Sequence, residues 1–129
     1  MRRQPGSRVF PVTINVLTDA ASAFTGYSDY LSGKVLGVAY IKTDFTDGVD
    51  FTITTETTAQ TLWTESNVNA AAVKYPRVPT VDGIAAASLY AAAGEAVETE
   101  PVLFAERIKV VIAAGGAAKT GKLIFVIEG

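Results

Sequence analysis

Cysteine and histidine are both absent from the 129 residues. Without cysteine there is no disulfide, no thiolate nucleophile and no thiolate-held zinc. Without histidine the usual general base of Ser and Cys nucleophile systems is missing, and so is the commonest transition-metal ligand. Few enzyme mechanisms survive both absences, so the sequence reads as non-enzymatic, with no catalytic residue and no cofactor expected. Charge is also scarce: 19% of residues are charged against 49% apolar, and the mean hydropathy is +0.28. No apolar run approaches the length of a membrane span, and the first residues lack the apolar stretch of a signal peptide. The expectation is a soluble protein made in the cytoplasm, with no membrane partner. Its excess of apolar residues is either folded into an efficient core or hidden against copies of itself or another protein.

The length fits one domain with a core that needs no staples. Net charge is −2, unevenly placed: the first ten residues, MRRQPGSRVF, hold Arg2, Arg3 and Arg8 and no acid. Pro5-Gly6 and Pro11 argue against regular structure there, so residues 1–11 read as an extended basic arm and residues 12–129 as a single domain. Three charges give nucleic acid only weak, salt-sensitive binding, and no nucleic-acid partner is expected. An arm that orders on an acidic neighbouring protein suits the pattern better.

The body is a succession of strand patterns. VTINVLT (12–18) and VDFTITTET (49–57) alternate apolar and polar residues, turning Val12, Ile14, Val16, Val49, Phe51 and Ile53 inward. KVLGVAYIKT (34–43) is apolar on both faces, one carrying Val35, Gly37, Ala39 and Ile41, the other Leu36, Val38, Tyr40 and Lys42. The same holds for RIKVVIAA (107–114) and KLIFVIE (122–128). Asp47-Gly48 and the glycine-rich GGAAKTG (115–121) are turn chemistry, so two hairpins are expected, 34–43 with 49–57 and 107–114 with 122–128. Residues 19–34 read as a long loop with room for one helical turn. QTLWTES (60–66) is a short strand, and AAAVKYPRVPT (70–80), with Pro76 and Pro79, is an edge strand or crossing connection. The alanine-rich stretch 83–100 satisfies either a helix ending at Gly94 or close-packed strand and loop. Six to eight short strands with at most one short helix define an all-β fold, a β-sandwich or jelly-roll-like barrel with long loops.

Five constellations suggest chemistry. DFTDGVD places Asp44, Asp47 and Asp50 at a spacing of three. A helix-loop-helix calcium loop needs alternate oxygen ligands, a distant glutamate and flanking helices, so no metal site is expected. The stretch reads as a hairpin tip and, as such, a contact element. AAGGAAKTGK (113–122) has neither the order of a phosphate loop nor a helix behind it. Glu95, Glu98, Glu100 and Glu106 contain enough carboxylates for glycoside hydrolysis but read as solvated surface. Tyr27, Tyr30, Trp63 and Tyr75 suit sugar stacking, the core or subunit contacts equally. The basic arm, through Arg2, Arg3, Arg8 and Phe10, is the fifth.

In GKVLGVAYIKTDFTDGVDFTITTETTAQTLWTE and again in ERIKVVIAAGGAAKTGKLIFVIEG the chain resembles small virion structural proteins of tailed bacteriophages, most closely the capsid decoration, or cement, proteins. The resemblance covers about half of the chain and contains no catalytic signature. It implies a β-rich, self-assembling protein, commonly a trimer, on the outer capsid surface of the virion, with the phage major capsid protein as partner. In such a protein the arm residues Arg2, Arg3, Arg8 and Phe10 would touch the capsid, and the second faces of the two hairpins, through Leu36, Val38, Tyr40, Ile124 and Val126, would touch sister subunits. A phage tail or head–tail joining protein fits the same resemblance, and a carbohydrate-binding β-sandwich module fits the composition.

Overall fold

The computed structural model describes residues 8–81, 83, 86, 88–92 and 94–129. It is all-β, with no helix among the described residues. The strands are β1 (Val9–Leu17), β2 (Phe24–Tyr27), β3 (Leu31–Lys42), β4 (Val49–Thr55), β5 (Thr61–Val68), β6 (Ala72–Lys74), β7 (Val78–Pro79), β8 (Glu98–Thr99), β9 (Val102–Glu106), β10 (Ile108–Ala113) and β11 (Thr120–Glu128). Sheet A runs β1-β11-β3, with β6 and β9 sharing the free edge of β3, and sheet B runs β2-β10-β4-β5. Short β7 and β8 pair apart from both.

The sheets enclose one core. The inward positions of β4 (Val49, Phe51, Ile53), β10 (Ile108, Val110, Ile112) and β11 (Leu123, Phe125, Ile127) are all buried, as are Ile14 and Val16 of β1. Period-two alternation therefore located the core correctly in β1 and β4, while β10 and β11, apolar on both faces, each bury one of the two. An aromatic cluster fills one end: Phe51 stacks on Trp63 with centroids 4.6 Å apart, and Tyr40 packs against Phe51 at 4.7 Å and Phe45 at 5.9 Å.

The connectivity differs from the expected hairpins. β3 and β4 lie in different sheets, and so do β10 and β11. Residues 43–48 and 114–119 are thus arches that cross from one sheet to the other. Their turn residues reverse the chain but do not oblige the outgoing strand to pair with the incoming one. Phe45 shows why the first arch crosses. It is buried, and a ring this size inside a reversal is stable only if the loop folds down between the sheets. Gly121 of β11 makes room for it, since a Cβ there would lie 2.7 Å from the Phe45 ring. Strands consecutive in sequence do pair in β4–β5, a hairpin closed by residues 56–60, and in the short pair β7–β8.

Two further expectations are corrected, for 19–34 and for the arm, and of the two alternatives for 83–100 the described residues follow strand and loop. The long loop 19–34 contains β2 and the start of β3, and no helical turn. The stretch 83–100 has no helix among its described residues; it contributes β8, a bridge between Leu89 and Ala96, and a turn closed from Gly94 N to Ala91 O at 2.8 Å. Among the described residues regular structure begins at Val9, so Phe10 and Pro11 belong to β1, opposite Ile127 and Val126. Pro11 is tolerated because β1 is an edge strand.

Candidate functional site

The arch end of the sandwich gathers the loops 18–23, 43–48 and 114–119, and here the three aspartates part company. Asp44 accepts hydrogen bonds from the Thr120 N–H and hydroxyl. The Thr120 backbone bond holds its carboxyl below the usual range, with the cation of Lys119 adding to the effect. Asp47 pairs with Lys42, whose Nζ also donates to Asn69 O at 2.9 Å. Asp50 accepts from the Asn67 N–H at 2.9 Å. Each carboxylate ties the arch to a different segment, and no group of acids that could hold a metal forms among the described residues. Buried Thr18 completes the stitching: its hydroxyl donates to Gly116 O and accepts from Lys119 N at 2.8 Å.

Glu106 is the residue the sequence reading placed wrongly. It is 0% exposed. Its Oε1 accepts from Thr57 N and Thr58 N at 2.8 and 2.9 Å, and its Oε2 from the Thr58 hydroxyl and Phe104 N at 2.8 and 2.9 Å. Burial pushes the carboxyl up, but these bonds outweigh it and the net shift is downward. Glu106 is therefore a buried clasp that joins β9 of sheet A to the 56–60 turn of sheet B, with Ala105 before it held at φ 49°. Glu95 and Glu98 stay exposed, and Glu100 lies 3.8 Å from Arg77. The acids assemble no paired carboxylates aimed into a cleft. A buried carboxylate in this chain had one signal, its place between two apolar strands where solvated loop was expected.

The expected contact residues divide. Val38 and Tyr40, both 1% exposed, are core residues and not subunit contacts. A bulge causes this: β3 slips one residue against β11 between Val126 and Ile127, so the inward face changes from Val35 to Val38 and Tyr40. Leu36, Ile124 and Val126 do lie on the outside of sheet A, half-buried by one another. The register aligns Pro11, Val126 and Gly37 in one row and Thr13, Ile124, Ala39 and Val73 in the next. Leu36, Ala39, Val73, Tyr75 and Val126 frame a shallow depression of about 240 Å³. Val73, Tyr75 and Ile41 are exposed around it. The outside of sheet B is polar by contrast, with rows Thr25-Val111-Thr52-Thr64 and Tyr27-Lys109-Thr54. Of the arm, Arg8 is exposed and its guanidinium sits 5.2 Å from the Phe10 ring, which is half-buried against the core. Arg2 and Arg3 lie outside the described residues.

No family model matches the chain, and no curated protein matches it. Among solved structures, one titled "Crystal Structure of FLHE" aligns over 94% of this chain and 98% of its own, at 8% identity and a TM-score of 0.42. That likeness is too low to carry an argument.

The four aromatics, open in the sequence between sugar stacking, core and subunit contact, fall in three separate places. Trp63 is buried on Phe51 and donates to Glu65 at 2.9 Å. Tyr75 is exposed on the outside of sheet A. Tyr27 and Tyr30 flank the Arg107 guanidinium, at 4.2 and 5.4 Å, while Arg107 is itself paired with Glu56.

Proposed function

We propose that this protein is a non-enzymatic structural subunit of a phage particle, a capsid decoration protein that self-associates as a trimer and binds the outer surface of the head. The observation that supports this reading best is the apolar outer face of sheet A, set against the polar outer face of sheet B. By strand spacing the patch covers a few hundred Å², the size at which exposed apolar patches commonly serve contact. The resemblance of the sequence to virion structural proteins supplies the particle, and the basic arm supplies the attachment to the major capsid protein. Many copies on one shell add avidity, so each contact can be modest.

The test has two parts. Light scattering behind a sizing column should give three copies of the 13.5 kDa chain, and Ile124→Lys, on the exposed side of a strand, should reduce this to one copy with an unchanged circular dichroism spectrum. A monomeric wild type overturns the self-association. Removing residues 1–7 and replacing Arg8 with Ala should leave the oligomer intact and abolish binding to empty capsids. The cut stops before Val9 because β1 starts there. A six- or twelve-fold ring would favour the second reading, a tail or head–tail joining component.

A further inference from the structure

The two sheets are unequal at their sides. On one side β5 and β6 are joined by a short loop and by Lys74, which pairs with Glu65 at 3.2 Å and lies 5.7 Å from the Trp63 ring. On the other side β1 and β2 stand next to each other and share no ladder. Between them is an open cleft of about 450 Å³, lined by Val12–Asn15 and Phe24–Asp29.

The hydrogen-bond phase of each strand shows what faces this cleft. Arg8 and Gly129 exchange both backbone bonds, at 3.0 and 2.9 Å, and Thr18 N donates to Lys119 O at 2.9 Å. Even-numbered residues of β1 therefore bond β11, and the N–H and C=O groups of Thr13 and Asn15 point to the free edge. In β2, Ser28 N donates to Ile108 O at 2.9 Å, so the backbone groups of Thr25 and Tyr27 are likewise turned outward. Two strand edges from different sheets thus present unpaired donors and acceptors to one gap. Its floor is apolar, formed by Val12, Ile14 and Phe24, which pack on the core. At about 3.3 Å of length, 4.8 Å of width and 10 Å of depth per residue, the volume takes roughly three residues of extended chain.

We propose that the β1/β2 cleft is a strand-acceptor site that binds an extended segment of a partner polypeptide by β-augmentation. The lining defines the segment. Small apolar side chains at alternate positions meet Val12, Ile14 and Phe24, and the intervening polar ones face solvent. Asp29 is the only charged residue among the lining residues and forms no ion pair among the described residues, so a Lys or Arg at one end of the segment complements it. Pro11 has no N–H to offer on the same edge, which confines pairing to the stretch beyond it and disfavours edge-to-edge pairing of β1 with its counterpart in another copy. This proposal does not depend on the outer face of sheet A.

The test uses the full chain, labelled with ¹⁵N, and a capped probe peptide of sequence Lys-Val-Thr-Val-Thr. Its control is the same peptide N-methylated at alternate amides, which keeps the side chains and removes backbone donors. The probe should shift the Thr13, Asn15, Thr25 and Tyr27 amides saturably, and the control should not. Thr13→Pro and Thr25→Pro remove only outward N–H groups, and each should weaken the probe about five- to tenfold while the circular dichroism spectrum stays that of the wild type. The proposal is overturned by equal binding of the control, by shifts confined to other surfaces, or by no shift at millimolar peptide. A fall in native mass as the probe is added would make the occupant a second copy, and would overturn the assignment to a partner polypeptide.

Discussion

Both ends of the sandwich are tied by a carboxylate that accepts backbone N–H bonds, Asp44 at one and Glu106 at the other, under opposite solvation. At the arch end Asp44 and Asp47 are exposed; Asp44 accepts from the Thr120 N–H at the start of β11, and Asp47 pairs with the Lys42 ammonium at the end of β3. At the other end Glu106 is fully buried and takes four hydrogen bonds from three residues. Solvent replaces a lost bond at the first end and does so less fully at the second, where the carboxylate is buried although Thr57, Thr58 and Phe104 lie at the surface. The contrast teaches that what a carboxylate contributes here is set by its burial, and that the number of acids in a loop says little about either end.

The sharpest way to break the comparison is Glu106→Ala. It leaves the N–H groups of Thr57, Thr58 and Phe104 without their acceptor inside the fold, and should destabilise by about 3–5 kcal/mol in chemical denaturation. That is a large share of the stability of an ordinary domain. Glu106→Gln keeps one acceptor oxygen and should cost about 2 kcal/mol. The pH dependence follows from the lowered carboxyl pKa. The contribution is fully present above the unfolded value, near 4.3, and is lost as pH falls through the lower folded value. Acid titration of stability should therefore be steeper below about pH 4.3 in the wild type than in Glu106→Gln. Equal acid slopes would mean that the clasp is not ionised.

How much of this was readable beforehand differs between the same two ends. The core positions of β1 and β4 were legible because one buried face forces a period of two, whereas β10 and β11, apolar on both faces, showed the two candidate faces without choosing between them. Pairing was not, because Asp47-Gly48 and Gly115-Gly116 encode a reversal and leave open which sheet receives the next strand. Phe45 was the available signal for the first arch: a large apolar residue has no place at a solvated hairpin tip. The bulge at Leu36 left no comparable mark, and it moved Val38 and Tyr40 from a supposed subunit contact into the core. The outward Ile124 and Val126 were legible because β11 keeps its side-chain alternation throughout, whereas Leu36 faces outward on its own because the bulge divides it from Val38 and Tyr40. Glu106 was misread because its place between two apolar strands signals burial, while its acceptor role depends on a turn 48 residues away in sequence.

A smaller effect is expected from the arch end. Thr18→Val removes a hydroxyl that donates to Gly116 O and accepts from Lys119 N. Thr18 is buried, so this is the arch-end group closest in kind to Glu106, but the bonds are neutral and fewer. The loss should be about 1–2 kcal/mol in the same denaturation experiment. A loss as large as that of Glu106→Ala would erase the distinction between the two ends.

The smallest effect, and one of opposite sign, belongs to Tyr40. Its hydroxyl is buried beneath the first arch and has no hydrogen-bond partner among the described residues, so the ring contributes packing while the oxygen carries an uncompensated desolvation cost. Tyr40→Phe keeps the contacts with Phe45, Phe51 and Trp63 and removes that cost. It should leave stability unchanged or raise it by up to about 1 kcal/mol. Burial, and then the nearby Asp47 carboxylate, push the phenol up to about 12 from its ordinary 10.0. The folded state thus resists forming the phenolate: the full stability contribution holds below the unfolded value of about 10 and is lost as pH rises through the folded one. The wild type should lose stability between these values more steeply than Tyr40→Phe. A clear destabilisation by the phenylalanine would instead mean that the hydroxyl has a partner, such as a buried water bridging it to the arch.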